Sequence, residues 1–147
     1  MKRRFETFTV LIAKINRNIK KIKNKAVAEY GLRGTHASCL YYIYCSDSLT
    51  ATELCERCEE DKATISRTVD FLEKNGYVVC ESEQSKRYKS PLFLTEKGKA
   101  VAAEIADKIN LVLDEISVGL SEAERVEFYR YLAVISEGLE GISSELF

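Results

Sequence analysis

Residues 61–75 carry side chains suited to holding a polyanion on one face of a helix. Ile65, Val69 and Leu72 are spaced four and three apart, so they form the inward stripe of one helix. That assignment turns Lys62, Thr64, Ser66 and Arg67 toward the other face, near the helix start. Hydroxyls suit phosphates or either base of a pair, and an arginine fork can pair with guanine through two hydrogen bonds. A capped helix N-terminus adds its own attraction for phosphate. A second basic cluster, Lys86-Arg87-Tyr88-Lys89, follows within a polar run, and the bland account of it is a charged loop that keeps a hairpin soluble.

Other candidate chemistry is thinner. Cys55 and Cys58 are three apart and share a helix face, which is half of a zinc site at best, since four ligands are normal. Only Cys39, Cys80 or His36 could complete it, so a small buried hydrophobe is the simpler reading of Cys39 and Cys58. A regulatory thiol stays open beside it. His36, the sole histidine, and Tyr41 and Tyr44 could line a small-molecule cleft; a packed core with wet hydroxyls is the alternative. No nucleophile–base pair, glycine-rich phosphate loop or paired catalytic carboxylates are visible, so an enzyme is not expected, and neither a cofactor nor a bound metal is.

These residues need elements to position them. Phe5, Phe8, Ile12, Ile15, Ile19 and Ile22, spaced 3, 4, 3, 4, 3, mark a long first helix that Gly31 and Gly34 break. Thr35 is the expected N-cap of a second helix over 35–45, with Leu40 and Ile43 inward. After a turn at Asp47-Ser48, Thr50 with Glu53 makes a capping box for a short third helix whose inward residue is Leu54. The fourth helix starts at Asp61 or Lys62 and ends at Asn75-Gly76. Tyr77–Cys80 and Pro91–Leu94 read as two strands of a hairpin with a long charged tip. Thr95 caps a long fifth helix, and Ser121 with Glu124 caps a sixth, which carries Leu132, Ile135, Leu139, Ile142 and Leu146 at heptad-like spacing.

The fold class this implies is mainly α with a small β-hairpin wing: a winged helix-turn-helix of about six helices. Its second short helix is sized for a major groove about 12 Å wide. The apolar stripes at both ends of the chain exceed what one small core can bury, so a dimer is expected. The organisation is then a helical dimerisation region, 1–30 with 95–147, around a reading head at 31–94. Phe5, Phe8, Ile12, Ile15, Leu132, Ile135, Leu139, Ile142 and Leu146 are the candidate dimer contacts. Two reading helices one duplex turn apart would engage a palindromic site.

Charge qualifies this picture. The chain of 147 residues has a formal net charge of −1, but the charge is unevenly placed. Residues 1–25 hold nine Lys or Arg against one acid, and residues 101–147 hold ten acids against three bases. The two ends could lie against each other within one chain or between two. Residues 50–95 carry seven bases and nine acids, with Glu59, Glu60 and Asp61 beside the reading helix. Modest affinity and a shallow salt dependence are therefore expected. A winged-helix module that binds protein and has lost duplex binding is the alternative. No run approaches the roughly 20 apolar residues of a membrane span, no signal-peptide core follows Met1, and five Cys suggest reduced thiols, so a cytoplasmic protein without membrane partners is expected.

Leu49-Thr50-Ala51-Thr52-Glu53-Leu54, then 61–78 (DKATISRTVDFLEKNGYV), then Leu94-Thr95-Glu96-Lys97-Gly98 resemble the MarR family of transcription regulators. The resemblance covers nearly the whole chain. It implies a homodimer built through the first, fifth and sixth helices, a fourth helix in the major groove, and a wing whose arginine, matched by Arg87, enters the minor groove. The family wing often carries Asp before that arginine; here the run is Glu83-Gln84-Ser85. The resemblance also implies repression relieved by a phenolic or other small effector, by oxidation or by a metal. The family's thiol sensors usually place the reactive Cys in the first helix, where this chain has none.

Overall fold

A computed structural model describes residues 3–81 and 87–146; the side chain of Arg87 lies outside the description. Six α-helices and a three-stranded sheet account for most of these residues. In order they are α1 (Arg4–Val27), α2 (Gly34–Ser46), β1 (Ser48–Leu49), α3 (Ala51–Cys58), α4 (Lys62–Lys74), β2 (Val78–Cys80), β3 (Leu92–Leu94), α5 (Glu96–Ser117) and α6 (Glu122–Leu146). Short 3-10 turns occupy Ala28–Tyr30 and Arg87–Lys89. The chain forms two compact units, residues 1–108 and 109–147.

The core of the first unit is built from the stripes that spacing marks as inward. Leu40 and Ile43 of α2, Leu54 of α3, and Ile65, Val69 and Leu72 of α4 are all buried, joined by Val78, Leu92 and Ile105. At about 25 cal/mol per Å² of apolar area, each such side chain contributes roughly 1.5–3 kcal/mol to holding α2, α3 and α4 together. The sheet closes over one side of this core. Its order is β1-β3-β2, antiparallel throughout, with β3 central. Leu92 pairs with Leu49 on one side and Cys80 on the other, and Phe93 pairs with Ser48 and Val79. Side chains alternate along β3, so Leu92 and Leu94 are buried while Phe93 stays half-buried.

Helix ends fall where local chemistry puts them. The Thr50 hydroxyl accepts from the Glu53 N–H while the Glu53 carboxylate accepts from the Thr50 N–H, at 3.2 and 2.8 Å. Asp61 caps α4 by accepting from the Thr64 N–H at 2.7 Å. Ser121 and Glu124 repeat the reciprocal box in the second unit. Three expectations need correcting. Helix α2 starts at Gly34, not after a Thr35 cap, because two side chains satisfy its first amides: Asn24 Oδ1 accepts from the Gly34 N–H and His36 Nδ1 from the Arg33 N–H. The return strand starts at Leu92, leaving Pro91 outside it, and a two-residue strand, β1, lies where only a turn was expected.

The end of α1 is fastened to α5 by a polar cluster. Tyr30 donates to Glu104, and Lys108 Nζ reaches Glu29 at 2.8 Å, Glu104 at 3.4 Å and the Ala26 carbonyl at 2.9 Å. Donating to Glu104 pushes the Tyr30 hydroxyl up to about 12 and holds the Glu104 carboxyl below its usual range.

Candidate nucleic-acid interface

Helix α4 presents one apolar and one polar side. Lys62 and Arg67 are exposed, and Thr64 and Ser66 are half-buried. Arg67 lies along the helix with its guanidinium 3.4 Å from the Thr64 hydroxyl, so the two form one polar ridge. Ser66 points elsewhere. With Ala51, Val69, Asp70, Tyr88 and Leu92 it lines a small cleft between α3, α4 and the base of the wing. Asp61 stands at the start of this surface. Its carboxyl is held below the usual range, chiefly by the hydrogen bond from the Thr64 backbone N–H. The charge thus serves the cap and the helix dipole.

The wing base is joined to the reading helix by a residue that sequence reasoning passed over. The Tyr88 hydroxyl donates to the Lys62 carbonyl at 2.7 Å. The Lys62 ammonium sits 4.1 Å from the Tyr88 ring centroid, and the Thr52 hydroxyl donates to the Tyr88 carbonyl at 3.4 Å. Tyr88 therefore binds α3, α4 and the wing at one point and steers Lys62 over its ring. The only sequence signal was an aromatic inside a basic run. Lys89, next to it, is exposed. Arg87 enters the same 3-10 turn with its backbone, and Lys86 lies outside the described residues. Tyr88→Phe removes the hydroxyl bond but keeps the ring beneath Lys62. Urea unfolding should show a loss of about 0.5–1.5 kcal/mol; an unchanged midpoint would show that the ring alone anchors the wing.

The other candidate residues fall as follows. Phe5, Ile12 and Ile15 of α1 are exposed along one stripe and Phe8 is half-buried. On α6, Leu132 is half-buried and Ile135, Leu139, Ile142 and Leu146 are exposed. His36 is engaged at the α2 cap, and its ring lies 4.6 Å from that of Phe71 on α4. Burial, with the nearby Arg33 charge, lowers its pKa. Tyr41 is half-buried with its ring edge against Tyr42 at 5.6 Å, and Tyr44 is exposed. Among the described residues no three His, Cys, Asp or Glu side chains gather as metal ligands. None of the described helices is long and apolar enough to cross a membrane.

Comparison with known proteins places this arrangement. The MarR family model matches residues 30–87, the span from the end of α1 through the wing base. The HTH-type transcriptional regulator SarZ of Staphylococcus aureus is 32% identical over 108 residues, covering 74% of this chain and 72% of SarZ. A putative MarR family regulator from Listeria monocytogenes, solved with a 26mer DNA, is 27% identical with a TM-score of 0.76, covering 87% of this chain and 85% of that one. Staphylococcus aureus MarR, solved with salicylate and kanamycin, shares the fold at a TM-score of 0.79 and 18% identity, covering 92% of each chain. A short three-stranded sheet beside a two-helix reading head, matched over these lengths, leaves one assignment: the chain belongs to the MarR family of transcriptional regulators.

Proposed function

We propose that this chain is a sequence-specific, effector-responsive repressor that binds a palindromic operator as a homodimer, with α4 in the major groove and the wing on the flanking minor groove or backbone. The observation that carries it is the polar surface at the start of α4 and the wing base beside it. Thr64 and Arg67 form one ridge of that surface, and Lys62, one turn before Ser66, is held against Tyr88 at the wing base. Arg67 supplies base readout, Lys62, Lys89 and Thr64 supply phosphate contacts, and Lys86 and Arg87 extend the contact from the wing. Ser66, turned to the cleft, acts through the wing base. The Listeria relative solved with DNA supports duplex binding.

Residues 1–30 and 95–147 form the dimerisation region in this reading, around the head at 31–94. Support comes from the uncovered apolar stripes of α1 and α6. His36, Tyr41 and Tyr44 border the effector site. The salicylate complex of Staphylococcus aureus MarR supports an effector of that chemistry. The protein acts in the cytoplasm as a regulator without catalysis.

Footprinting on the DNA upstream of its own gene, followed by a salt titration, tests the proposal. With two to four cations per protomer meeting phosphate, log K should fall with log salt at a slope of about −4 to −7. A slope near −10 would mean a far more basic contact surface than this one. No protection, at any salt, would favour a winged-helix module that binds protein, which the nine acids of residues 50–95 would allow.

A further inference from the structure

Cys39 is fully buried in α2, and Cys58 is the half-buried last residue of α3. Their sulfurs lie 4.0 Å apart. A bonded pair of sulfurs is separated by about 2 Å, so closure asks for a further approach of about 2 Å. Closure moves Cys58, the last residue of α3, against the turn in which the Glu59 and Glu60 N–H groups donate to the Glu56 and Cys55 carbonyls. We infer that Cys39 and Cys58 form a modification site, a dithiol that a hydroperoxide converts to an intrachain disulfide joining α2 to the end of α3.

The roles divide by environment. Cys58 is the accessible sulfur, and its thiol is held below its ordinary pKa, first by the hydrogen bond with Cys39 and also by the Lys23 ammonium. Cys39 is pushed up by the same contact and by burial, which keeps it protonated until it is needed. The Cys58 thiolate attacks one peroxide oxygen; the O–O bond breaks, leaving a sulfenic acid on Cys58 and an alkoxide that takes up a proton to leave as the alcohol. Cys39 then attacks the Cys58 sulfur, its proton leaves with the sulfenic hydroxyl as water, and the S–S bond forms. Two thiols and one hydroperoxide give one disulfide, one alcohol and one water; with hydrogen peroxide the alcohol is a second water. Cys55 lies one turn back on α3, beside the Tyr88 hydroxyl, and takes no part.

The consequence for DNA rests on the function proposed above. Only Glu59, Glu60 and Asp61 separate Cys58 from α4, and Asp61 is the cap of that helix. Drawing Cys58 toward α2 displaces the turn and with it the start of the reading helix. The oxidised form should bind its operator about tenfold more weakly.

The test uses the full chain carrying Cys45→Ser, Cys55→Ser and Cys80→Ser, with the wild type and Cys58→Ser alongside. After hydrogen peroxide and alkylation, peptide mapping should find Cys39 joined to Cys58 in the triple variant and the wild type, reversed by dithiothreitol. Cys58→Ser should yield no disulfide at Cys39. Peroxide that leaves both thiols alkylatable overturns the inference. So does oxidation of Cys58 to a sulfinic acid with Cys39 free, or a Cys55–Cys58 bond in the wild type. Anisotropy titration of both redox forms then reads the coupling. Equal affinity of the two forms would refute the effect on DNA but leave the dithiol standing. A disulfide in a protein that binds no DNA even when reduced would defeat the proposed function instead.

Discussion

Gly98→Ala should lower the thermal midpoint by about 6–12 °C, a loss of about 3 kcal/mol for a chain of this size. In an open helix the same change would stabilise by roughly 0.5–1 kcal/mol, since alanine is the better helix former. The sign reverses at this position because of what the new methyl would meet. A Cβ on Gly98 would fall 2.0 Å from the Tyr77 carbonyl oxygen and 3.0 Å from its carbon. That carbonyl cannot swing away without loss, because it accepts from the Thr95 N–H at 3.0 Å and from the Thr95 hydroxyl at 3.2 Å. The Gly98 N–H in turn donates to the Thr95 hydroxyl at 3.0 Å. Relief of the clash therefore opens the cap of α5 and its junction with the residue preceding β2. Gly138→Ala in α6, where an added methyl meets nothing within 4 Å, serves as the control and should raise stability slightly. Calorimetry showing Gly98→Ala within about 2 °C of the wild type would refute the close approach as a constraint.

Arg67→Ala should weaken operator binding by about 10- to 100-fold, corresponding to about 1.4–2.8 kcal/mol, while leaving the fold intact. Arg67 is exposed and its contact to Thr64 is long, so little stability rests on it. Its loss should also relax discrimination at one base pair of each half-site, which a loss of phosphate contact would not do. Arg67→Lys separates the two effects: it restores charge but not the planar fork, so affinity should recover in part while discrimination stays poor. Anisotropy titrations against the protected duplex and a set of single-base variants measure both. Wild-type affinity in Arg67→Ala would mean that another face of α4 meets the duplex.

Much of this was legible in residue order because it depends on local periods. The spacing of Ile65, Val69 and Leu72 identified the buried side of α4, and the boxes at Thr50–Glu53 and Ser121–Glu124 fixed two helix starts. What depends on distant partners was not legible. Strand β1 is two residues long, too short to show a period, and exists because β3 offers it an edge. The α2 cap relies on Asn24 from another helix, which moved the start ahead of Thr35. Tyr88 looked like one aromatic among lysines until its hydroxyl was seen on the Lys62 carbonyl. Gly98 belonged to a motif whose purpose, contact with the Tyr77 backbone, has no trace in the motif itself. The stripes of α1 and α6 mark faces that want covering, and periodicity is silent on what covers them.

Because Leu92 faces Leu49 across one ladder and Cys80 across the other, β3 is common to the wing and to the lead-in of α3. Sliding β3 by a single residue would turn Leu92 and Leu94 outward and drive Phe93 into the core, and it would do so in both ladders at once. Hairpin and helix pair are thus geared together. A lineage that retargets such a protein to a new promoter has little freedom to re-aim the hairpin, and the path of least resistance is to exchange the side chains that α4 carries.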